Sequence, residues 1–161
     1  MFEVKYNLLN KEELDFLKNI FLKEPLWIFN QEQAGENDGC FFSHPFFKPT
    51  GVMSHHIHLL NPIINFLNPI SIINIRANLL VKRSKPQYSI FHCDHMNNTK
   101  VNHKTSIFYL NTNNGYTEFK DGSKCMSEEN KLITFNADQE HRAVSQTDQN
   151  YRIVINFNYF N

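Results

Sequence analysis

Two residues near the middle of the chain, His92 and Asp94, have the types and the spacing of metal ligands. They stand at the end of a predicted strand, where residues two apart project from the same face, so both can approach one ion while Cys93 points away. Two histidines and one carboxylate on one triangular face suit non-haem Fe(II) that must also bind a cosubstrate and dioxygen. A His-x-Asp pair alone is a weak signal, and it needs a third ligand.

Most of the other histidines are predicted to be structural. The chain has eight histidines. Five of them lie in predicted loops or on the polar side of a helical segment, where surface or packing roles are the default: His44, His55, His56, His58 and His103. The pair His56 and His58 cannot face the same way on a helix, which argues against a shared ion.

The first helix is predicted over residues 11–22, because apolar side chains recur there at helical spacing. Asn10 is a suitable N-cap, Glu13 completes a capping box, and Pro25 is expected to end the helix. A second helical pattern covers residues 53–67.

Pro62 lies near the middle of this second pattern and should split or kink the helix. Residues 27–29 are predicted as a short strand, and residues 31–49 as a loop. Four phenylalanines of that loop are expected to fill the interface between helix and sheet: Phe41, Phe42, Phe46 and Phe47.

From residue 72 onward the hydrophobic pattern has a period of two, which predicts strands. The strands are bounded by Asn, Gly, Asp or Ser clusters and cover residues 72–81, 88–92, 105–110, 116–119, 131–135 and 151–160. No connection of helix length separates them, so a sandwich or barrel is favoured over a parallel sheet. The sequence predicts two helices packed on a β-barrel.

The composition is that of an ordinary globular domain, with 161 residues, 41% hydrophobic side chains and a formal net charge of zero. A neutral chain does not favour nucleic acid as a partner. No apolar run is long enough to span a membrane, and acidic residues stand where a signal peptide has its apolar core. Three dispersed cysteines, Cys40, Cys93 and Cys125, indicate reduced thiols and a cytoplasmic protein.

The second half carries a series of motifs in a recognisable order. They are His92-Cys93-Asp94, TSIFYLN at 105–111, NGYTEF at 114–119, LITF at 132–135, His141 and YRIVINF at 151–157. This order resembles the prolyl-4-hydroxylase-like branch of the Fe(II)/2-oxoglutarate-dependent dioxygenases, over residues 72–161. It is also similar to the compact, Asn-rich members carried by tailed phages, in which segments like YLNTNNGYT and RIVINFNYF recur, so a phage-encoded chain would work in the host cytoplasm.

The resemblance implies an α+β, mainly β fold. Its core is a double-stranded β-helix, the jelly-roll or cupin-like barrel, with N-terminal helices packed on one sheet. Residues 1–161 would form a single dioxygenase domain, in which residues 1–70 are a helical support region and residues 71–161 are the core.

The resemblance also assigns roles to residues. The iron ligands fall on His92, Asp94 and His141, and the basic residue of the last core strand falls on Arg152. A guanidinium there can clamp the distal carboxylate of 2-oxoglutarate with two parallel hydrogen bonds. Tyr109 matches the family tyrosine that contacts the same carboxylate.

Two amides are further candidates for the cofactor pocket. Asn156 lies four residues beyond Arg152 on the same strand face, and Asn78 lies on an early core strand. Cys93 is expected to serve packing only.

The chain departs from the family pattern at two turns. Asn114-Gly115 replaces a Gly-Gly pair, and residues 127–130 replace a Pro-x-x-Gly turn. Asn114 and Asn130 are expected to take over the glycines' role, since Asn tolerates positive φ. Neither change touches the metal ligands.

The implied activity is the hydroxylation of an unactivated C–H bond, coupled to the conversion of 2-oxoglutarate to succinate and CO2. The cofactors would be Fe(II), 2-oxoglutarate and O2, with ascorbate as a reductant. Since Asp94 is retained, hydroxylation is favoured over the halogenation performed by relatives that lack this carboxylate. Substrates of this branch are prolyl residues of peptides or small molecules. Neither the substrate nor the oligomeric state can be read from the sequence.

Three other functions would each leave a different pattern in the sequence. A cupin-like barrel that binds a metal or ligand without redox chemistry predicts a denser His-x-His…Glu set and leaves Arg152 unexplained. A structural protein on a degenerate barrel would lose an iron ligand. A nucleobase substrate predicts a basic groove with stacking aromatic residues, which a neutral chain does not indicate. Selectivity would lie in loops such as residues 31–49 and 96–104.

Overall fold

The structure is a computed structural model that describes residues 1–23, 27–32, 39–94 and 103–161. The described helices are α1 (Lys11–Lys23), a 3₁₀ helix (His55–Leu60) and α2 (Asn61–Leu67). The strands are β1 (Glu3–Tyr6), β2 (Ile28–Asn30), β3 (Phe41–Lys48), β4 (Gly51–Val52), β5 (Ser71–Val81), β6 (His103–Tyr109), β7 (Tyr116–Phe119), β8 (Lys124–Met126), β9 (Lys131–Asn136), β10 (His141–Val144) and β11 (Tyr151–Phe160). The protein is mainly β.

The strands form two antiparallel sheets. The large sheet has the order β1-β9-β6-β11-β5-β3-β2, with β4 paired to β3, and the small sheet has the order β10-β7-β8. In the large sheet β11 lies between β5 and β6 and pairs with both of them. This crossed order of two facing antiparallel sheets is the jelly-roll architecture that the sequence predicts.

Strand β11 shows how alternation divides the interior. Ile153, Ile155 and Phe157 belong to one buried apolar cluster together with residues of both helices. Arg152, Val154 and Asn156 face the other way and line a cavity between the two sheets. The period-two pattern of this strand therefore separates a supporting core from the cavity.

The helices cover one face of the large sheet. Leu14, Leu17 and Phe21 of α1 and Leu60 and Ile63 of the second helical region pack into the same cluster as the outward-facing residues of β5, β6 and β11. A second, smaller cluster that includes Ile107, Phe119 and Phe135 fills the space between the sheets. None of the helices described is long and apolar enough to cross a membrane.

The helix predictions are confirmed with small shifts in boundaries. The amide of Glu13 donates to Asn10 Oδ1 at 3.0 Å, and the amide of Asn10 donates to Glu13 Oε2 at 2.9 Å, which is the expected capping box. Pro62 stands in the first turn of α2 and separates it from the 3₁₀ helix. The end predicted at Pro25 lies outside the described residues.

The prediction of a loop over residues 31–49 is wrong for its second half, where β3 joins the large sheet beside β5. Apolar residues stand on both faces of β3 and hide the alternation. Pro45 is tolerated because the register shifts between Pro45 and Phe47. The first 70 residues therefore supply strands as well as helices.

The four phenylalanines of β3 divide between its two faces. Phe46 and Phe47 pack on the helix side, as expected, whereas Phe41 lines the cavity between the sheets. Phe42 packs edge-on against Phe29 of β2 at 5.5 Å between ring centroids.

The strand predicted over residues 88–92 is wrong, since only two isolated bridges connect this segment to β10. The cause is a side chain: the amide of Ala143 donates to Ser89 Oγ at 3.0 Å, where a continuous ladder would use a backbone carbonyl. Strands β1, β8 and β10, of three or four residues each, are not among the strands predicted from the sequence.

The two turns of altered sequence behave differently. Asn130 has φ of 61°, as expected for a glycine substitute, and its side chain accepts from and donates to the backbone of Leu9 at 2.8 Å. Asn114 is not among the described residues with positive φ, so that expectation is wrong. Gly115 is required instead because it has no side chain, since a Cβ at this position would collide with Arg152.

Candidate metal centre

The structure brings His92, Asp94 and His141 together. One ligand atom from each lies within 4.8 Å of the other two. His92 Nε2 is 3.9 Å from Asp94 Oδ1, and His141 Nε2 is 4.0 Å from Asp94 Oδ2. Three ligands at these separations can close around one ion on one triangular face, which leaves the opposite positions open.

Backbone pairing fixes the two histidines relative to each other. His92 and His141 form an antiparallel bridge in which each amide donates to the other's carbonyl at 3.0 Å. The two imidazole centroids are 4.6 Å apart. Phe135 packs edge-on against the His141 ring at 4.8 Å and restricts its rotation.

Both imidazoles have the tautomer that a metal ion needs. His141 Nδ1 lies 3.0 Å from the carbonyl oxygen of Gln139, and His92 Nδ1 lies 3.2 Å from that of Ile90. A carbonyl can only accept, so Nδ1 carries the proton in each ring. The lone pair of Nε2 is then available for the ion, and the carbonyl holds the ring in orientation.

Asp94 is held by two residues that sequence reasoning missed. Its Oδ2 accepts from Thr105 Oγ1 at 2.8 Å and from Asn158 Nδ2 at 2.9 Å, which leaves Oδ1 for a metal ion. Asn158 also donates to Thr105 Oγ1 at 3.1 Å. The same-face spacing of positions 152, 156 and 158 on β11 was the signal that could have pointed to Asn158.

Removing these donors should loosen the carboxylate. We expect Asn158→Ala and Thr105→Val each to weaken Fe(II) or Mn(II) binding by about 10- to 100-fold, because residues that orient a ligand contribute affinity on that scale. Titration of each purified variant with Mn(II) measures the loss. The exposed Asn150→Ala is the control, and unchanged affinity in both variants would contradict the role given to this pair.

Burial lowers the pKa of His141 below the ordinary 6.5, with Asp94 acting to raise it and His92 acting to lower it further. The unfolded chain therefore takes up a proton at higher pH than the folded, metal-free protein does. Stability contributed by this group is present above about pH 6.5 and is lost as the pH falls towards the depressed value.

As the pH falls below about 6.5, the metal-free protein should accordingly lose stability more steeply than His141→Gln does. Urea unfolding in the presence of a chelator gives the free energy of unfolding at each pH. Equal pH dependence in the two proteins would show that this histidine does not contribute.

Arg152 is buried in the wall of the cavity that His92 and His141 also line. Its Nε donates to Ser127 Oγ at 2.7 Å, and its Nη2 donates to Thr117 Oγ1 at 3.4 Å. Within the described part of the chain no carboxylate pairs with it. Burial lowers its pKa, yet an arginine remains charged, so this site is built for an anion.

Tyr109 stands behind this arginine. Its hydroxyl donates to Thr117 Oγ1 at 2.9 Å, and its ring centroid is 5.7 Å from Arg152 Cζ. Burial raises its pKa, so the hydroxyl stays protonated. Tyr109 does not itself line the cavity; Thr117 stands between its hydroxyl and the open space.

Gly115 makes room for the arginine. A Cβ at this position would lie 2.8 Å from Arg152 Cδ and 2.9 Å from the carbonyl oxygen of Val144. The glycine is therefore required by close approach, not by its backbone conformation.

Asn78 and Asn156 line the cavity, as the sequence analysis expected, and so does Arg76. In the ladder between β5 and β11, Asn78 faces Val154 and Arg76 faces Asn156. The Oδ1 atoms of both asparagines are buried without a hydrogen-bond partner. They present unused polar groups to whatever fills the cavity.

A third arginine of the cavity wall, Arg142, is neutralised. Its Nε and Nη2 donate to Glu118 Oε2 at 2.7 and 2.6 Å. The guanidinium also covers the rings of Tyr88 and Phe91, with Cζ at 4.7 and 4.3 Å from their centroids.

The remaining described histidines fall into a buried group and an exposed group, which the sequence pattern does not distinguish. Of the five histidines expected to have surface or packing roles, His44, His56 and His103 are buried, because β3, the 3₁₀ helix and β6 bring them inside. His44 packs edge-on against Phe46 at 4.7 Å. The metal cluster found among the described residues contains neither these three nor Cys93.

Neither the family models nor the curated proteins searched contain a match to this sequence. Solved structures do match. A 2OG-Fe(II) oxygenase family oxidoreductase from Burkholderia pseudomallei aligns with a TM-score of 0.66 at 12% identity, over 99% of this chain and 84% of that one. The fold found there is the one described above.

Two further matches have similar extents. HygX from Streptomyces hygroscopicus, with nickel and 2-oxoglutarate bound, aligns with a TM-score of 0.69 at 9% identity, over 99% of this chain and 82% of that one. The viral collagen prolyl hydroxylase of Paramecium bursaria Chlorella virus-1 aligns with a TM-score of 0.62 at 14% identity, over 99% and 90%. The chain has the double-stranded β-helix fold of the 2-oxoglutarate-dependent Fe(II) oxygenases.

Proposed function

We propose that the protein is an Fe(II)/2-oxoglutarate-dependent oxygenase that hydroxylates an unactivated C–H bond. The observation that carries the proposal is that candidate metal ligands and a buried arginine line the same cavity. His92 and His141, which form a metal-ligand cluster with Asp94, line this cavity together with a buried arginine, Arg152, that has no carboxylate partner among the described residues. A metal ion and an anionic cosubstrate are the two ligands that satisfy these groups.

His92, Asp94 and His141 would hold the iron. When bound, Fe(II) with 2-oxoglutarate supplies oxidative decarboxylation to succinate and CO2 and the oxidising power for hydroxylation. The protein keeps both Nε2 atoms unprotonated through the carbonyls of Ile90 and Gln139. It holds Asp94 Oδ1 free by engaging Oδ2.

Arg152 would clamp the distal carboxylate of 2-oxoglutarate. Ser127 orients the guanidinium through Nε, which leaves the terminal nitrogens for two parallel hydrogen bonds. Thr117 lines the cavity beside Arg152, and it receives the Tyr109 hydroxyl hydrogen bond, so its own hydroxyl proton is available to the carboxylate. Tyr109 then acts on the carboxylate through Thr117.

Asn78 and Asn156 supply the remaining polar surface. Asn78 lies two residues from Leu80 on the same face of β5, and Leu80 pairs with Arg152 in the ladder. We therefore assign the Asn78 amide to 2-oxoglutarate. Asn156 lies a further step away and is available to the cosubstrate or to the substrate. The apolar wall of Ile107, Leu80 and Val154 excludes water from the reacting groups.

The substrate is a protein, a peptide or a small molecule, and a prolyl residue is the family-level candidate. The prolyl hydroxylase among the matched structures supports that choice through fold alone. We further propose a cytoplasmic location, a phage-like source and ascorbate as reductant. Nucleic acid and membrane are not proposed as partners. A non-redox cupin-like role is disfavoured, because it gives Arg152 no ligand.

Turnover tests the proposal without knowledge of the substrate. Purified protein is incubated in air with Fe(II), ascorbate and 2-oxoglutarate, and succinate is measured over time. We expect succinate from the wild type and none above background from His141→Ala. Protein that binds Fe(II) and 2-oxoglutarate yet forms no succinate would contradict the oxygenase assignment.

A further inference from the structure

Arg76 is a second arginine of the cavity whose charge has no partner. It projects from β5 into the space between the sheets, level with Asn156 of β11. Its Nε is buried without a hydrogen bond, and no carboxylate among the described residues lies within ion-pairing distance. The Phe41 ring lies against the guanidinium, with its centroid 5.7 Å from Arg76 Cζ.

The three cavity arginines differ in what satisfies them. Arg142 is paired with Glu118, and Arg152 is the proposed site of the cosubstrate. Burial lowers the pKa of Arg76, and Asp94 is the one described acid that acts to raise it. Asp94 is committed to the metal ion and to Thr105 and Asn158, so it does not neutralise Arg76 in the loaded enzyme.

With the metal ion and 2-oxoglutarate bound, the positive charge of Arg76 is in excess of the negative charges in the cavity. The metal dication and Arg152 carry three positive charges, and Asp94 and doubly charged 2-oxoglutarate carry three negative ones. These groups balance without Arg76. An unpaired cation in a partly desolvated cavity is unfavourable, so the loaded cavity favours one more anion.

We propose that Arg76 binds a carboxylate of the substrate, at the level of Asn156 on β11 and two same-face steps along this strand from Arg152. The inference rests on the proposed function, because it takes the Arg152 end to be filled by 2-oxoglutarate. Asn156 lies opposite Arg76 in the ladder, and its unpartnered Oδ1 can accept a hydrogen bond from an N–H or O–H group of the same ligand. Phe41 covers the guanidinium and leaves its nitrogen edge to form two parallel bonds to a carboxylate.

The same chemistry can come from a free amino acid, from the end of a peptide chain or from an acidic side chain. Three probe pools separate these sources: free amino acids, N-acetyl amino acids and N-acetyl amino acid amides. In the third pool only the Asp and Glu members keep a carboxylate. Each pool is added to protein loaded with Zn(II) and 2-oxoglutarate, and binding is followed by ligand-observed NMR, which requires no turnover.

We expect members of one pool that carry a carboxylate to bind the wild type. Arg76→Gln should weaken that binding by about ten- to hundredfold, as loss of a charged hydrogen-bond partner does. Arg76→Lys should restore part of it, and Arg142→Gln, the matched cavity arginine, should leave it unchanged. Absence of binding by every carboxylate, equal binding to Arg76→Gln, or binding by neutral amides would each overturn the proposal.

A separate measurement distinguishes this failure from failure of the proposed function. Anaerobic Fe(II) and 2-oxoglutarate should give the same visible absorption band in Arg76→Gln as in the wild type. A band missing from the wild type would remove the proposed function and the inference with it. A band lost only in Arg76→Gln would assign Arg76 to the cosubstrate and overturn the inference alone.

Discussion

Asp94→Ala is expected to abolish Fe(II)-dependent turnover of 2-oxoglutarate, with a loss of about a thousandfold or more. The carboxylate supplies the single negative charge among the three ligands, and its Oδ1 faces His92 Nε2 at 3.9 Å. Two neutral imidazoles alone hold a divalent ion poorly, because charge and ligand number both fall. Succinate formation and metal content of the purified variant measure the effect.

The matched control is Asp138→Ala, which removes a nearby exposed carboxylate. The Cys93 thiol donates to the backbone carbonyl oxygen of residue 138, and this hydrogen bond does not depend on the side chain. It should retain full turnover and metal content. The fold of Asp94→Ala should be intact, because Thr105 and Asn158 keep each other as hydrogen-bond partners. If Asp94→Ala retained metal and turnover, the three-residue site would be wrong.

Arg152→Met should raise the concentration of 2-oxoglutarate needed for half-saturation by about two to three orders of magnitude. Removal of one partner of a buried charge pair costs about 2–5 kcal/mol, which corresponds to that change. Metal affinity should change little, because none of the three ligands lies on β11 with Arg152. Equilibrium binding of 2-oxoglutarate to the metal-loaded variant measures the shift.

Arg152→Lys separates charge from geometry at the same position. Lysine keeps the positive charge but cannot make two parallel bonds, so it should recover only part of the affinity. Arg142→Gln should bind 2-oxoglutarate as the wild type does, because Glu118 keeps its ion pair with Lys124 at 3.4 Å when Arg142 is removed. Unchanged affinity in Arg152→Met would assign the cosubstrate to another cation of the cavity, and Arg76 is then the candidate.

The sequence was most informative for β11, a single strand that contributes residues both to the apolar core and to the cavity. In β11 the odd-numbered residues are apolar and pack in the core, whereas the even-numbered residues from Arg152 to Asn156 line the cavity. The period-two pattern therefore predicted both the strand and the face that is turned towards the cavity. The metal cluster was also within reach, because the family order of motifs supplied His141, which is distant from His92 in sequence. The structure then placed both residues in one backbone bridge.

Other features depend on contacts that no local pattern encodes. β3 was missed because it is apolar on both faces and contains Pro45, which only the register shift accommodates. The role of Asn158 depends on a carboxylate 64 residues earlier. Arg76 reads as one polar position of an alternating strand, and its unpaired state emerges only once Arg142 and Glu118 are seen to neutralise each other.

The most direct test of the central claim is the absorption spectrum of the purified protein after anaerobic addition of Fe(II) and then 2-oxoglutarate. A keto acid chelated to iron gives a visible charge-transfer band, and no substrate is needed to observe it. The account predicts a band in the wild type that is absent from His92→Ala and His141→Ala and requires far more 2-oxoglutarate in Arg152→Met. Wild-type protein with confirmed Fe(II) binding and no band would contradict it.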